Sequence, residues 1–268
     1  MPSNANFQGL TFDEAVDNAR IVAEAAAKHG TTMRLLGALA INIRSLAANK
    51  TYEFFIKDRI KGFENPFTDL DFISLSKHRD GVAKVLKELG YEPRGRFTAI
   101  EFDRIIYRHP TKGFVIDVFL DTLSMCHTID FRNRLSFDDL TATPTDLLLT
   151  KMQIVNISEK DVKDSITLLI DHQIRRDDEK GINSAYIARL LSNDWGFYYT
   201  VTTNLRKIRT DFEHLYQNVI PGSLIQDLHG KTDQLLLNIE NAPKSFGWRM
   251  RAKVGPKKKW YQEVDSQG

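Results

Sequence analysis

The chain has 268 residues, a formal net charge of +2, 42% hydrophobic and 27% charged residues and one cysteine, Cys126. That is the composition of a soluble globular protein with a sizeable core in one large or two modest domains. It excludes an intrachain disulfide, contains no apolar run near the ~20 residues of a membrane-spanning helix, and starts with MPSNANFQGL, which has no basic or apolar signal region; a reducing cytoplasm is the expected compartment.

Thr11-Phe12-Asp13-Glu14 is a capping-box pattern and predicts an alanine-rich helix that stops at Gly30. Met33 to Leu36 reads as a short strand ending at Gly37, and Ala38 to about Ala47 as a helix. Asn49 to Pro66 has weak periodicity and reads as a partly helical connection. A strand is expected over Asp69 to Leu75, then a helix over Lys77 to Leu89 capped by Ser76 and ended by Gly90. Phe97 to Tyr107 alternates as a strand, His109 to Gly113 is a hairpin turn, and Phe114 to Leu120 is the returning strand. After about Thr143 helical periods take over, at Thr145–Ile157, Ser158–Asp171, Ser184–Asn193, Tyr198–Asn218 and Leu224–Asn241. The expected fold class is α+β: a mixed sheet flanked by helices over 1–142, followed by a helical C-terminal domain over 143–268 with a basic tail.

Three features of the first half suit one chemistry. In Thr68-Asp69-Leu70-Asp71, the period of two puts both carboxylates on one strand face. Two like charges there repel unless a cation lies between them, and an oxygen-only pair suits Mg²⁺; the plain alternative is a strand end with its acids in solvent. Gly37, between a strand and a helix, lets backbone N–H groups approach a phosphate, or is simply a helix start that needs a small residue. Asp117 stands in the apolar run Val115 to Phe119, where a carboxylate must be paired, hydrogen-bonded or on a metal; Arg104 and Arg108 on the hairpin partner are candidate partners.

Taken in order, Leu36-Gly37-Ala38-Leu39-Ala40, Thr68-Asp69-Leu70-Asp71, Ile116-Asp117-Val118, Leu147-Leu148-Leu149-Thr150-Lys151 and Lys160-Asp161-Val162-Lys163-Asp164 resemble the nucleotidyltransferase superfamily. That superfamily shares its fold with DNA polymerase beta, and the nearest likeness is to the AbiEii-like minimal enzymes known from toxin–antitoxin systems. Ala38 stands where a second Gly or a Ser is frequent, Asn49 to Pro66 looks inserted, and Ser158-Glu159 replace a frequent basic residue.

The resemblance implies transfer of a nucleoside monophosphate from an NTP to an acceptor hydroxyl, with release of pyrophosphate. It implies Asp69, Asp71 and Asp117 as catalytic acids holding two Mg²⁺ ions, and Gly37, Ala38 and Lys151 as nucleotide-binding residues. The expected acceptor is RNA or tRNA, a protein or a small molecule. The competing reading is a non-catalytic nucleotide- or nucleic-acid-binding module on the same fold.

Lys160 and Asp164 read as an ordinary i,i+4 pair. Asp121 reads as an edge acid in preference to an auxiliary ligand, Cys126 and His127 as too few for a zinc site, and Trp195, Phe197, Tyr198 and Tyr199 as core aromatics in preference to a base-stacking surface. Arg249 to Lys259, with Trp248, Trp260 and Tyr261, is a candidate nucleic-acid contact.

Overall fold

The structure is a computed structural model, and it describes residues 9–48, 50–51, 54, 67–94, 103–138, 140–179, 181–216 and 220–263. Two compact units divide the chain. The first is Met1–Arg44, Ile56–Leu123 and Ile129–Ala142; the second is Ser45–Phe55, Ser124–Thr128 and Thr143–Gly268. The fold is α+β. Among the described residues no helix is long and apolar enough to cross a membrane.

The first unit opens with α1, Phe12–Lys28. Its capping box is complete: Glu14 N–H donates to Thr11 Oγ1 at 3.3 Å and Thr11 N–H to the Glu14 carboxylate at 3.0 Å. Ala15, Ala19, Val22, Ala23 and Ala26 recur at helical spacing and bury one face. There follow β1 (Met33–Leu35), α2 (Gly37–Ala48), β2 (Asp69–Ser74), a 3₁₀ turn at Ser76–His78, α3 (Arg79–Glu88), β3 (Glu92–Pro93), β4 (Arg104–Arg108) and β5 (Val115–Leu120). Helix α1 packs on α3 and β1.

The five strands form one mixed sheet in the order β1-β2-β5-β4-β3. Strands β2 and β5 are parallel, and the other neighbours are antiparallel. Leu70, Phe72, Ile105, Tyr107, Ile116 and Val118 are buried in its core. Successive side chains alternate faces, so Asp69, Asp71, Asp117, Phe119 and Arg104 fall on the opposite face. The expected strand over Phe97 to Tyr107 has its described part at Arg104–Arg108; Phe97 to Phe102 lie outside the described residues, as does most of Asn49 to Pro66.

The cap of the helix after β2 differs from expectation. Ser76 does not cap it with its hydroxyl; the Asp121 carboxylate accepts from Ser76 N–H at 2.9 Å. Asp121 follows β5 with φ +63°, and its own N–H donates to Ser74 O at 2.8 Å. It ties the ends of the two parallel strands while capping the turn. Asp tolerates this left-handed backbone because its side chain can bond locally. Asp121→Ala, which loses the cap and keeps the strained backbone, is expected to cost about 2 kcal/mol, and Asp121→Gly about half that. Chemical denaturation of the two variants checks the order.

The second unit is mostly helical. It contains α4 (Pro144–Met152), α5 (Glu159–Asp171), β8 (Gln173–Arg175) and β9 (Gly181–Asn183), which pair in parallel, α6 (Ser184–Leu191), α7 (Trp195–Tyr216), α8 (Gly222–Asn241) and α9 (Phe246–Val254). Strands β6 (Thr122–Ser124) and β7 (Thr128–Asp130) form a further pair. The short strands carry too few residues for a clear period in the sequence, and α9 has no fully buried residue to set one face apart from the other.

Thr143, Ser158, Asn183 and Ser245 each cap a helix with a side-chain oxygen, which sharpens the starts of α4, α5, α6 and α9. Buried Lys231 on α8 donates to Ile170 O at 2.8 Å, placing a cation at the C-terminal end of α5.

Trp195 and Phe197 are buried, and His127 stacks on Phe197 with ring centroids 4.8 Å apart. Thr200 Oγ1 accepts from Trp260 Nε1 at 3.1 Å and lies 2.9 Å from His127 Nε2. Burial lowers the His127 pKa below 6.5, so the fold prefers the neutral ring. The unfolded chain then binds the proton more readily, and stability is lost as pH falls from 6.5 through the folded value. The expected result is a lower melting temperature at pH 5.5 than at 7.5, with a shallower slope in His127→Gln. Equal slopes for the two proteins would discount the ring.

Candidate active site

The site builds from the edge where β2 meets the start of α2. Register puts Asp71 directly beside Asp117 across the parallel β2–β5 pair, with Asp69 beside Val115. All three acids therefore share one sheet face. Asp69 is exposed, Asp71 half-buried and Asp117 buried.

Gly37 begins α2 with φ +67°, a conformation that side-chain-bearing residues rarely adopt. A Cβ there would lie 2.7 Å from Asp71 Oδ2. Leu36 N–H donates to Asp71 O at 2.7 Å, which fixes the loop against β2. The missing side chain is thus what lets the Asp71 carboxylate reach the first turn of α2, where backbone N–H groups lack intrahelical partners. Ala38 is the next residue of that turn and is half-buried.

Asp117 is engaged. Arg104 Nε donates to its Oδ1 at 2.7 Å, and Nη2 donates to Oδ2. Of the two partners the sequence offered, Arg104 is the one used; Arg108 faces Glu92 at 4.0 Å. The hydrogen-bonded Asp117 carboxylate, helped by the charges of Asp71 and Asp103, outweighs burial and raises the Arg104 pKa, which keeps the guanidinium charged. The guanidinium also lies 5.0 Å from the centroid of the Phe119 ring.

Among the described residues no three His, Cys, Asp or Glu side chains form a ready metal cluster. The donor chemistry of Asp69 and Asp71 nevertheless fits Mg²⁺, a hard ion that keeps waters and takes one or two carboxylates plus substrate phosphates. Asp117 fits as a further oxygen donor once Arg104 is displaced.

In the second unit, Lys151 Nζ lies 2.9 Å from Asp161 and 3.0 Å from Asp164. These two carboxylates outweigh its burial and raise its pKa. The expected Lys160–Asp164 pair is replaced: Asp164 pairs with Lys151, and the i,i+4 pair on α5 is Glu159–Lys163 at 2.8 Å. One residue earlier than expected, Lys163 reaches Glu159 while Asp164 is buried on the side away from solvent.

The tail is partly committed to structure. Arg251 donates to Gly255 O and Lys258 O, each at 2.6 Å, and stacks 4.5 Å from the Trp195 ring centroid. Trp260 binds Thr200, and Trp248 packs edge-on against Tyr198. Lys259 pairs with Glu263. Arg249, Lys253, Lys257 and Lys258 are exposed.

No protein-family model and no curated protein matches the chain. Three solved structures are similar to it. A lincosamide antibiotic adenylyltransferase with lincomycin bound is 14% identical with a TM-score of 0.39, over 59% of this chain and 96% of that one. The antibiotic-resistance factor ANT(2'')-Ia is 8% identical with a TM-score of 0.37, over 76% and 98%. JHP933 from Helicobacter pylori is 10% identical with a TM-score of 0.37, over 92% and 99%.

Proposed function

We propose that the protein is a nucleotidyltransferase that moves a nucleoside monophosphate from an NTP to an acceptor hydroxyl. The observation that carries this reading is the gathering of Asp69, Asp71 and Asp117 on one sheet face, with the Asp71 carboxylate against Gly37 at the start of α2. Asp69 and Asp71 hold Mg²⁺ in this reading, and Asp117 joins them when released from Arg104. Bound there, Mg²⁺ supplies charge neutralisation of the triphosphate and acidifies the acceptor hydroxyl.

The chain's own groups have separable tasks. Gly37 and Ala38 offer backbone N–H groups to the β- and γ-phosphates, with the helix dipole adding attraction. Asp117 accepts the acceptor's proton or orients its hydroxyl. Lys151 answers first to Asp161 and Asp164, so its part in nucleotide binding is the weakest of the set. Arg249, Lys253, Lys257 and Lys258 are the tail residues suited to phosphate contact with an RNA or tRNA acceptor; a protein or small-molecule acceptor would not need them. Activity inside a toxin–antitoxin pair stays a part of this proposal.

A second reading, a non-catalytic nucleotide-binding module, is favoured by one observation: Arg104 already neutralises Asp117. Incubating the protein with Mg²⁺ and each α-³²P-labelled NTP, against total tRNA, the protein itself and a panel of aminoglycosides, separates the two. Labelled acceptor, lost in Asp69→Asn, is the expected result. NTP binding without transfer to any acceptor would support the non-catalytic module.

A further inference from the structure

We propose that Arg104 is a resident counter-cation for Asp117, so that a divalent ion gains this carboxylate only by displacing a guanidinium. The inference rests on the site assigned above and concerns the order in which that site fills. Asp117 is a buried carboxylate, with its side chain 8% exposed, and needs a charge partner. Arg104 occupies both of its oxygens in a two-pronged contact, the geometry in which a guanidinium matches a carboxylate best. A metal ion at Asp117 must take at least one of those oxygens.

Arg104 is built to leave as well as to stay. Its side chain is 44% exposed. It is rooted opposite Phe119, two residues along β5 from Asp117, and reaches back to the acid. Freed from Asp117, it keeps the face of the Phe119 ring as a support.

Charge on the sheet face sets the sequence of events. With Asp117 held by Arg104 through both oxygens, a first divalent ion has Asp69 and Asp71 as its carboxylates in the site proposed above. A second ion arriving alone would set a dication against the Arg104 guanidinium with no added anion to offset the two. An ion arriving with a triphosphate brings the anion that the freed guanidinium can contact. Arg104 thereby couples occupancy of the second position to nucleotide, and acts as a positioning residue for Asp117.

The test counts Mn²⁺ bound to the full chain by calorimetry and by electron paramagnetic resonance, first without nucleotide and then with an α,β-methylene NTP analogue. The wild type should bind one Mn²⁺ alone and two with the analogue. Arg104→Gln should bind two without nucleotide, the second at least about tenfold tighter than in the wild type, and Arg104→Gln/Asp117→Asn should return to one. Arg104→Lys, which keeps the charge without the fork, should fall between and serves if Arg104→Gln melts early. Identical Mn²⁺ binding by wild type and Arg104→Gln overturns the inference, as does a wild type that binds two ions without nucleotide; both leave the site standing. A wild type that binds no Mn²⁺ in either condition overturns the metal site and the inference with it.

Discussion

Asp71→Asn is expected to lower nucleotidyl transfer by about 10³-fold or more while leaving the fold intact. Asn has nearly the shape of Asp, so packing at this half-buried position changes little. The hydrogen bond that fixes the loop before α2 comes from Leu36 N–H to the main-chain oxygen of residue 71, which the substitution keeps. What disappears is a charge that a hard cation needs and that an amide supplies poorly. Asp69→Asn should act in the same direction with still less effect on stability, because Asp69 is exposed at the start of β2. Rates with labelled NTP, read beside melting curves, check both. Unchanged turnover in either variant would remove that acid from the metal assignment.

The second large effect is expected at Gly37. Gly37→Ala places a Cβ on a backbone with φ +67°, at a cost of about 1–2 kcal/mol. The same Cβ would come within 2.7 Å of Asp71 Oδ2, so the carboxylate must swing aside. Stability and activity should therefore fall together, with activity lost beyond what unfolding accounts for. Gly90 provides the comparison. Its φ is +83°, yet a Cβ there meets nothing within 4 Å. Gly90→Ala should lose stability to a similar degree and keep its turnover. If Gly37→Ala turns over like Gly90→Ala, the close approach of Gly37 to Asp71 has no part in the chemistry.

Much of the first unit was legible because its signals are local. The capping box at Thr11 and Glu14 declares the start of α1, and the period of two puts Asp69 and Asp71 on one face of β2. The turn from His109 to Gly113 predicts that β4 returns as β5. Asp117 was marked by being a carboxylate in an apolar run, and Arg104 was named as a candidate partner from the hairpin alone, because antiparallel neighbours joined by a short turn have few possible registers. Asp121 gave no such signal: its cap bond to Ser76 joins residues 45 apart. Helix α9 was hidden among cations. Its Phe246, Met250 and Val254 recur at helical spacing, but all three stay exposed, and a short helix that buries nothing leaves little periodic contrast to read.

The sequence by itself determined which residues could do chemistry here and which faces of their own elements they occupy, since both follow from residue type and backbone period. Only the tertiary structure decided which of them meet. The parallel pairing of β2 with β5 sets Asp71 beside Asp117, and the packing of α4 and α5 gives Lys151 to Asp161 and Asp164. The approach of β2 to the first turn of α2 makes Gly37 necessary for more than its backbone angle. Such contacts join segments tens of residues apart, and their register is chosen by burial of the whole core, a sum over many side chains that no local pattern contains.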